Sequence, residues 1–340
     1  MEKLRVALIG AGGRGNAHAN AIAQAANIEF AAICDIDAEA GRAAAEKFDT
    51  EYLPDTAELY ARDDITAVGI CVQTPSHHRL AMEAIAAGRH LLTEKPMAAS
   101  LAEAEEMKDA VEKSGLRAAL SYQLRLGPVY AKMKELADQI EPLQITFARQ
   151  RGMLLPKYLS PAPFDGIMDF ISHDIDMVPF LAGRKPTAVS AALRRNTWSD
   201  TGAIDVVGAQ IEFGEGDDRT IGYLSSSMGG SGVPERLDVI GRSGLAYTDG
   251  NTIHFTTEPN PPLPTMTRDM WALAFEGAAR DLTTALYEHW AASILDPELP
   301  LAPAASYQDG YNAMLITLAI VESGKTGEKI NLDAFATSLI

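Results

Sequence analysis

The sequence predicts an α/β chain: an N-terminal doubly wound parallel sheet, then an α+β domain with a large, mostly antiparallel open sheet. Three observations carry this. Short apolar runs alternate with helical patterns through the first 120 positions, the rhythm of parallel βαβ units. A glycine-rich turn closes the first of those runs. Between positions 187 and 255 apolar runs follow one another across tight turns with no helix between them, which makes their pairing antiparallel.

The elements follow in order. Leu4 to Ile9 is a short apolar strand ending in glycines, and residues 16–26 read as an Ala-rich helix. Ile28 to Cys34 is the second strand and Ala38 to Phe48 the second helix. Ala67 to Val72 is a further strand, Arg79 to Ala87 a helix stopped by Gly88, and His90 to Thr93 a short strand. Leu101 to Ser114 is a helix stopped by Gly115, and Leu116 to Leu120 the next strand. The boundary falls near Tyr122, giving a doubly wound α/β domain over 1–121 and an α+β domain built on an antiparallel sheet over 122–340. In the latter, Val129 to Ile140 is a helix, Leu143 to Arg149 extended, residues 152–165 a Pro-rich loop, and Asp169 to Leu181 a helix ending at Gly183. Gly214 to Asp218 turns one hairpin and Asp249-Gly250-Asn251 another. Pro259 to Pro264 is a surface loop, and helices at Asp269 to Leu295 and Ser306 to Ser323 close the chain.

A formal charge of −17 over 340 residues argues against nonspecific affinity for nucleic acid or an anionic membrane. The two cysteines, Cys34 and Cys71, lie inside apolar runs and read as unpaired core thiols in a reducing compartment. No run of 18 apolar residues exists, and the first strand starts within four residues of Met1 with no leader pattern, so the cytoplasm is the expected location.

Gly10-Ala11-Gly12-Gly13-Arg14-Gly15 is a G-x-G-x-x-G turn between strand and helix. Gly10 permits the tight turn, Gly12 lets backbone amides approach a pyrophosphate, and Gly15 lets the helix pack close to the strand. The helix N-terminus then offers unpaired N–H groups to the phosphates. Asp35 ends the second strand, 20 residues after Gly15, where a carboxylate accepts hydrogen bonds from ribose hydroxyls and repels a 2′-phosphate. This favours NAD, with NADP left open because Arg14 is a cation that can meet a 2′-phosphate; Arg42 is too far along its helix. His18 reads as a packing or surface histidine.

Thr74-Pro75 and Glu94-Lys95-Pro96 follow two strands, at the carboxyl edge where doubly wound sheets bind ligands. A lysine there can stabilise negative charge on a substrate oxygen, although an exposed turn lysine fits the residues equally. Pro96 is a candidate for a cis bond. Asp165, Asp169, His173 and Asp176 are spaced four, four and three apart and share one helical face, beside an apolar stripe of Met168, Ile171, Ile175 and Val178. His173 can take a proton from an alcohol near neutral pH, with Asp169 one turn away to orient it. On the residues alone a solvated face remains open.

These motifs together resemble the glucose–fructose oxidoreductase / inositol dehydrogenase (Gfo/Idh/MocA) family. The resemblance runs through the glycine turn at 10–15, Asp35, Thr74-Pro75, Ala87-Gly88-Arg89-His90 leading into Glu94-Lys95-Pro96, and Tyr122 to Pro128. It continues through Asp169 to Gly183 and Ser306 to Gly310. It implies a Rossmann domain followed by a domain with a large open sheet, an NAD(P)-linked redox reaction on a sugar, cyclitol or related polyol, and a homodimer or homotetramer formed through the open sheet face. It assigns the chemistry to Lys95, Asp169 and His173. Cofactor contacts map to Gly10, Gly12, Gly13, Arg14, Gly15, Asp35, Thr74, Pro75, Glu94 and Lys95, with His78 a candidate for the nicotinamide pocket. Gln123, Arg125, Tyr158, Asp165 and His173 are the candidate substrate contacts. Asp165 stands where the family often has the first of two glycines, Ile171 replaces a common glycine, and the segment after Pro75 is short. Those departures touch the substrate side of the pocket. Trp198 and Trp271 suit either sugar stacking or packing.

Competing chemistries lack their motifs: H-E-x-x-H, C-x-x-C, the Walker A loop and G-x-S-x-G are absent, and no metal is expected. Two alternatives remain. One is a glycoside hydrolase of the same fold that oxidises its sugar transiently with bound NAD; the other is a nucleotide-binding sensor without catalysis.

Overall fold

The computed structural model describes residues 3–153, 164, 167–198, 200–230, 232–259, 270–274 and 281–340. The chain divides into two compact units, Met1–Leu126 with Ala279–Tyr311, and Gly127–Ala278 with Asn312–Ile340.

In the first unit, β1 (Leu4–Ile9), β2 (Ile28–Cys34), β3 (Glu51–Leu53), β4 (Ala67–Ile70), β5 (His90–Thr93), β6 (Ala118–Leu120) and β15 (Ala305–Ser306) form one sheet. Its order is β15-β6-β5-β4-β1-β2-β3, parallel except for the β15–β6 pair. Strand order reverses at β1, the chain building outward to β2 and β3 on one side and to β4, β5 and β6 on the other, and this switch point makes the crevice in which such sheets bind ligands. Between the strands run α1 (Gly13–Gln24), α2 (Ala38–Lys47), α3 (Thr56–Tyr60), α4 (His77–Ala86) and α5 (Leu101–Ser114). Local chemistry sets their ends. Asp37 caps α2 by accepting from the amides of Glu39 and Ala40, Ser100 caps α5 through the amide of Glu103, and Gly115 closes α5 at φ 69°.

The division corrects the single boundary expected near Tyr122. α8 (Leu282–Leu295) returns to the first unit, where Leu286, Tyr287, Trp290 and Ala291 are buried in one core with Leu8, Ile22 and Leu92. A doubly wound sheet must be covered on both faces, and α8 supplies cover beside α1. α8 also starts later than the helix expected from Asp269. Residues 271–274 are a strand, β14 (Trp271–Ala274), and Asp281 caps α8 through the amides of Thr283 and Thr284.

In the second unit, α6 (Pro128–Ile140) leads into β7 (Pro142–Ala148), α7 (Ile167–Ala182), β8 (Pro186–Arg195), β9 (Ile204–Phe213) and β10 (Thr220–Ser227). β11 (Arg236–Gly241), β12 (Leu245–Thr248), β13 (Thr252–Thr256), β14 and β16 (Ile330–Asn331) complete a sheet ordered β14-β13-β12-β11-β7-β10-β9-β8-β16. Both expected hairpin turns are present, between β9 and β10 and between β12 and β13. All pairs are antiparallel except β7–β10. α9 (Tyr307–Thr326) begins in the first unit and belongs to the second from Asn312 onward, and α10 (Leu332–Leu339) ends the chain.

One face of this sheet carries α7. Met168, Ile171, Ile175 and Val178 are all buried, as the apolar stripe predicts. Gly222 on β10 makes the approach possible, because a Cβ there would overlap Cγ1 of Val178. The other face leaves Tyr223 39%, Tyr247 41% and Ile240 38% exposed, on strands whose alternate residues are buried. Cys34 and Cys71 are buried and unpaired, and burial pushes both thiols up to about 12. Among the described residues, no helix is long and apolar enough to cross a membrane.

Candidate active site

The glycine turn separates into two kinds of position. Gly10 has φ 106°, and a Cβ there would overlap the carbonyl oxygen of Cys71; a Cβ on Gly15 would overlap the carbonyl oxygen of Gly10. The fold itself demands these two glycines. At Gly12 and Gly13 a Cβ meets nothing within 4 Å, so what they leave free is space outside the protein. Gly12 is the N-cap of α1 and supplies no side-chain cap, so the helix presents its first amides to that same space. A pyrophosphate needs both features.

Asp35 stands at the end of β2 with its carboxylate turned to the turn. Oδ2 accepts from the amide of Ala11 at 2.6 Å and Oδ1 from the amide of Asp37 at 2.8 Å. The acid therefore holds the glycine turn against β2. Its neighbour Ile36 is 95% exposed.

Arg14 is tied to the turn that bears Lys95. Its Nε donates to Glu94 at 2.7 Å, and Nη2 donates to the Gln123 amide oxygen at 3.2 Å, while the Gln123 amide nitrogen donates to the carbonyl of Ser121 at 2.6 Å. The guanidinium thus meets the residue after β5 and the 121–123 segment. Arg42 stacks on Tyr52, its guanidinium carbon 5.0 Å from the ring centroid.

Glu94 is the centre of the cluster and nearly fully buried. Besides Arg14, its Oε1 meets His18 Nε2 at 2.8 Å and Ser121 Oγ at 3.1 Å, and Oε2 accepts from the amide of Lys95 at 2.8 Å. His18 reaches Tyr287 on α8 through Nδ1 at 2.9 Å. Burial alone would push the Glu94 carboxyl up. The hydrogen bond from His18 and the charges of Arg14 and Lys95 outweigh burial and hold it well below the usual carboxylate range. His18, which the sequence offered as a packing or surface residue, is a fully buried link between α1, the Glu-Lys-Pro turn and α8. Lys95 itself is half-buried at the carboxyl end of β5, and its bond to Pro96 is cis.

Thr74 and Pro75 form a short turn after β4, Thr74 half-buried and Pro75 exposed. His78 stands in the first turn of α4. Its Nε2 meets Glu106 on α5 at 2.9 Å, while the neighbouring His77 is buried and its ring nitrogens lie 2.9 Å from the Pro96 carbonyl and 3.1 Å from that of Val72. The helix turns about 100° per residue, so only one of two adjacent histidines can face inward. Burial lowers the His77 pKa. Arg125 is buried, with Nη2 3.2 Å from Asp309, and is not presented to solvent.

In the second unit, Asp169 and His173 lie on α7 and both are half-buried, while Asp176 is buried. The shared face expected of this helix therefore contains two accessible groups and one enclosed one. The carbonyl of Asp169 accepts from Ser172 Oγ at 2.6 Å. Tyr158 and Asp165 lie outside the described residues. Among the described residues, no group of three or more His, Cys, Asp or Glu is placed to hold a metal.

The first unit is thus a dinucleotide-binding Rossmann domain with a lysine turn at the carboxyl edge of its sheet. The comparisons make the class specific. Residues 4–122 match the model of the Gfo/Idh/MocA oxidoreductase family, NAD-binding Rossmann fold, and residues 139–247 match a C-terminal domain model of the same family. The chain belongs to the Gfo/Idh/MocA family of NAD(P)-dependent oxidoreductases. Relatives include an inositol 2-dehydrogenase from Acidothermus cellulolyticus, 26% identical over 94% of this chain and 92% of that one. A UDP-N-acetylglucosamine 3-dehydrogenase from Acidithiobacillus ferrooxidans is 27% identical over 75% of this chain and 77% of its own. A myo-inositol dehydrogenase from Lactobacillus casei, solved with NAD(H) and myo-inositol, has the same fold: TM-score 0.77 at 22% identity, covering 97% and 96% of the two chains.

Proposed function

We propose that the protein is a dehydrogenase or reductase acting on a hydroxyl or keto carbon of a sugar, cyclitol or related polyol, with NAD preferred over NADP. The observation that carries the reading is the Arg14–Glu94 link, which joins the glycine turn to the turn bearing Lys95. The substrate class rests on the inositol and amino-sugar dehydrogenases among its relatives.

The residues divide the work as follows. The amides at the α1 N-terminus and the space beside Gly12 and Gly13 receive the pyrophosphate, and Asp35 meets the adenosine ribose. Thr74 and Pro75 border the same carboxyl edge. A nicotinamide cofactor held along this edge would supply the hydride chemistry. Lys95 hydrogen-bonds the substrate oxygen and stabilises the charge that develops there. His173 takes the hydroxyl proton or returns one to the ketone, with Asp169 one turn earlier orienting the imidazole. Gln123, held by Arg14 and Ser121, is the best supported of the substrate contacts. NAD is preferred because both nearby arginines are engaged elsewhere, Arg14 with Glu94 and Arg42 with Tyr52, while Asp35 repels a 2′-phosphate. The reading includes a homodimer or homotetramer formed through the sheet face that exposes Tyr223, Tyr247 and Ile240, and a reducing, cytoplasmic setting suited to the two free thiols.

The test is a panel of polyols and aldoses with NAD and NADP in parallel, followed by nicotinamide absorbance, on the wild type, Lys95→Ala and His173→Ala. A dehydrogenase turns over NAD faster than NADP. Each variant loses about 10²–10⁴-fold in turnover, and His173→Ala keeps cofactor affinity. Sugar release without net cofactor turnover would assign the hydrolase chemistry instead, and cofactor binding with no reaction on any substrate would favour the sensor.

A further inference from the structure

We infer that Arg151 and Asp174 are positioning residues for α7: their ion pair sets the rotation of the helix about its own axis and so aims His173. The inference rests on the reading above for what His173 does, and on contacts within the second unit for how it is held.

Asp174 follows His173 on α7 and its side chain is fully buried. Arg151, just beyond β7, grips it with both arms of its guanidinium: Nη1 lies 2.8 Å from Oδ2 and Nη2 3.0 Å from Oδ1. Nη2 also donates to the carbonyl of Phe170, one turn earlier on α7, at 2.9 Å, and Nη1 to Ser226 Oγ on β10 at 3.1 Å. One side chain thus holds the helix at two successive turns and ties it to the sheet. A second ring of contacts fixes that side chain's surroundings. Arg149 Nη1 lies 3.4 Å from Asp174 Oδ1, Arg149 Nε 2.8 Å from Glu235, and Glu235 accepts from Tyr130 on α6 at 2.6 Å.

The geometry makes rotation the property under control. Residues on a helix are set about 100° apart, so pinning Asp174 inward fixes where His173 points. The apolar stripe on the same helix resists lifting from the sheet, but non-directional contacts allow small rotations that a two-armed carboxylate–guanidinium pair does not. Burial pushes the Asp174 carboxyl up against the pull of Arg151 and Arg149. A buried ion pair is seldom the most stabilising choice for such a position, which leaves orientation as its physical return.

The experiment compares wild type, Arg151→Lys and Asp174→Asn in the full chain. Arg151→Lys keeps the charge and removes the fork. Imidazole resonances are read on protein with labelled histidine, His173 being assigned by its loss in His173→Gln. In either variant that folds, the His173 resonances shift while those of His18 and His77, in the other unit, stay in place. With a polyol substrate, kcat falls by about tenfold to a hundredfold, the KM for cofactor holding. Unmoved His173 resonances in a folded variant overturn the inference, whether or not turnover is lost. Should the wild type oxidise no polyol, the dehydrogenase reading falls by itself and the histidine spectrum still decides this one.

Discussion

Gly12→Ala separates a glycine kept for a ligand from one kept for the fold. The backbone at Gly12 has φ −65°, which any residue adopts, and the added methyl meets no protein atom within 4 Å. Its cost to folding is therefore that of an ordinary surface change, within about 0.5 kcal/mol. In the holoprotein the same methyl projects into the space assigned to the pyrophosphate. Displacing a phosphate from close amide contacts removes charge-assisted hydrogen bonds of about 1.5–3 kcal/mol each, and losing one weakens binding by roughly tenfold to a hundredfold. Gly15→Ala is the control. Its methyl overlaps the Gly10 carbonyl, so it destabilises the fold by about 1–3 kcal/mol or more. Thermal unfolding of the apoprotein and fluorescence titration with NADH read the two effects independently. The reasoning is refuted if Gly12→Ala binds NADH like the wild type, or unfolds as early as Gly15→Ala.

Asp35→Asn removes the charge that repels a 2′-phosphate while keeping an acceptor for the Ala11 amide, so the ratio of NADP to NAD affinity rises; parallel titrations check it, and an unchanged ratio removes Asp35 from cofactor choice. Glu94 gives a pH dependence with a definite sign. Its folded-state carboxyl is held below the ordinary range, so its stabilisation is present above about pH 4 and fades as acid protonates it; Glu94→Gln flattens the acid limb of unfolding temperature against pH, and an identical limb in both proteins contradicts the assignment.

Spacing made much of the first unit legible. A glycine turn between strand and helix, with an acid at the next strand end, reports local backbone needs that any observer of the chain can count. The apolar stripe of α7 was equally plain, because helical periodicity encodes a buried face. What escaped was the identity of partners remote in the chain. Glu94 draws in His18 and Tyr287 from opposite ends of the sequence, and no spacing rule pairs them. Of the adjacent His77 and His78, His77 is the buried one, and adjacency gives no sign of which faces inward. Arg125 is buried beside Asp309, a partner 184 positions away that no spacing rule points to. At 271–274, Ala and Leu favour helix locally, and pairing with β13 at the sheet edge overrides them. Arg151 and Asp174 were missed outright; an arginine beyond a strand end and an acid beside a histidine are a signal only once both are in place.

The late return of α8 to the first unit bears on biosynthesis. Domains tend to fold as they leave the ribosome, N-terminal first. Here the nucleotide half lacks Tyr287, Trp290 and their neighbours until the segment through Tyr311 has emerged, so the nascent half waits with an apolar flank uncovered. A ribosome-stalled or truncated product ending near Leu126 would display that flank, a natural target for chaperones, and the coenzyme would find its site complete only once that later segment had emerged.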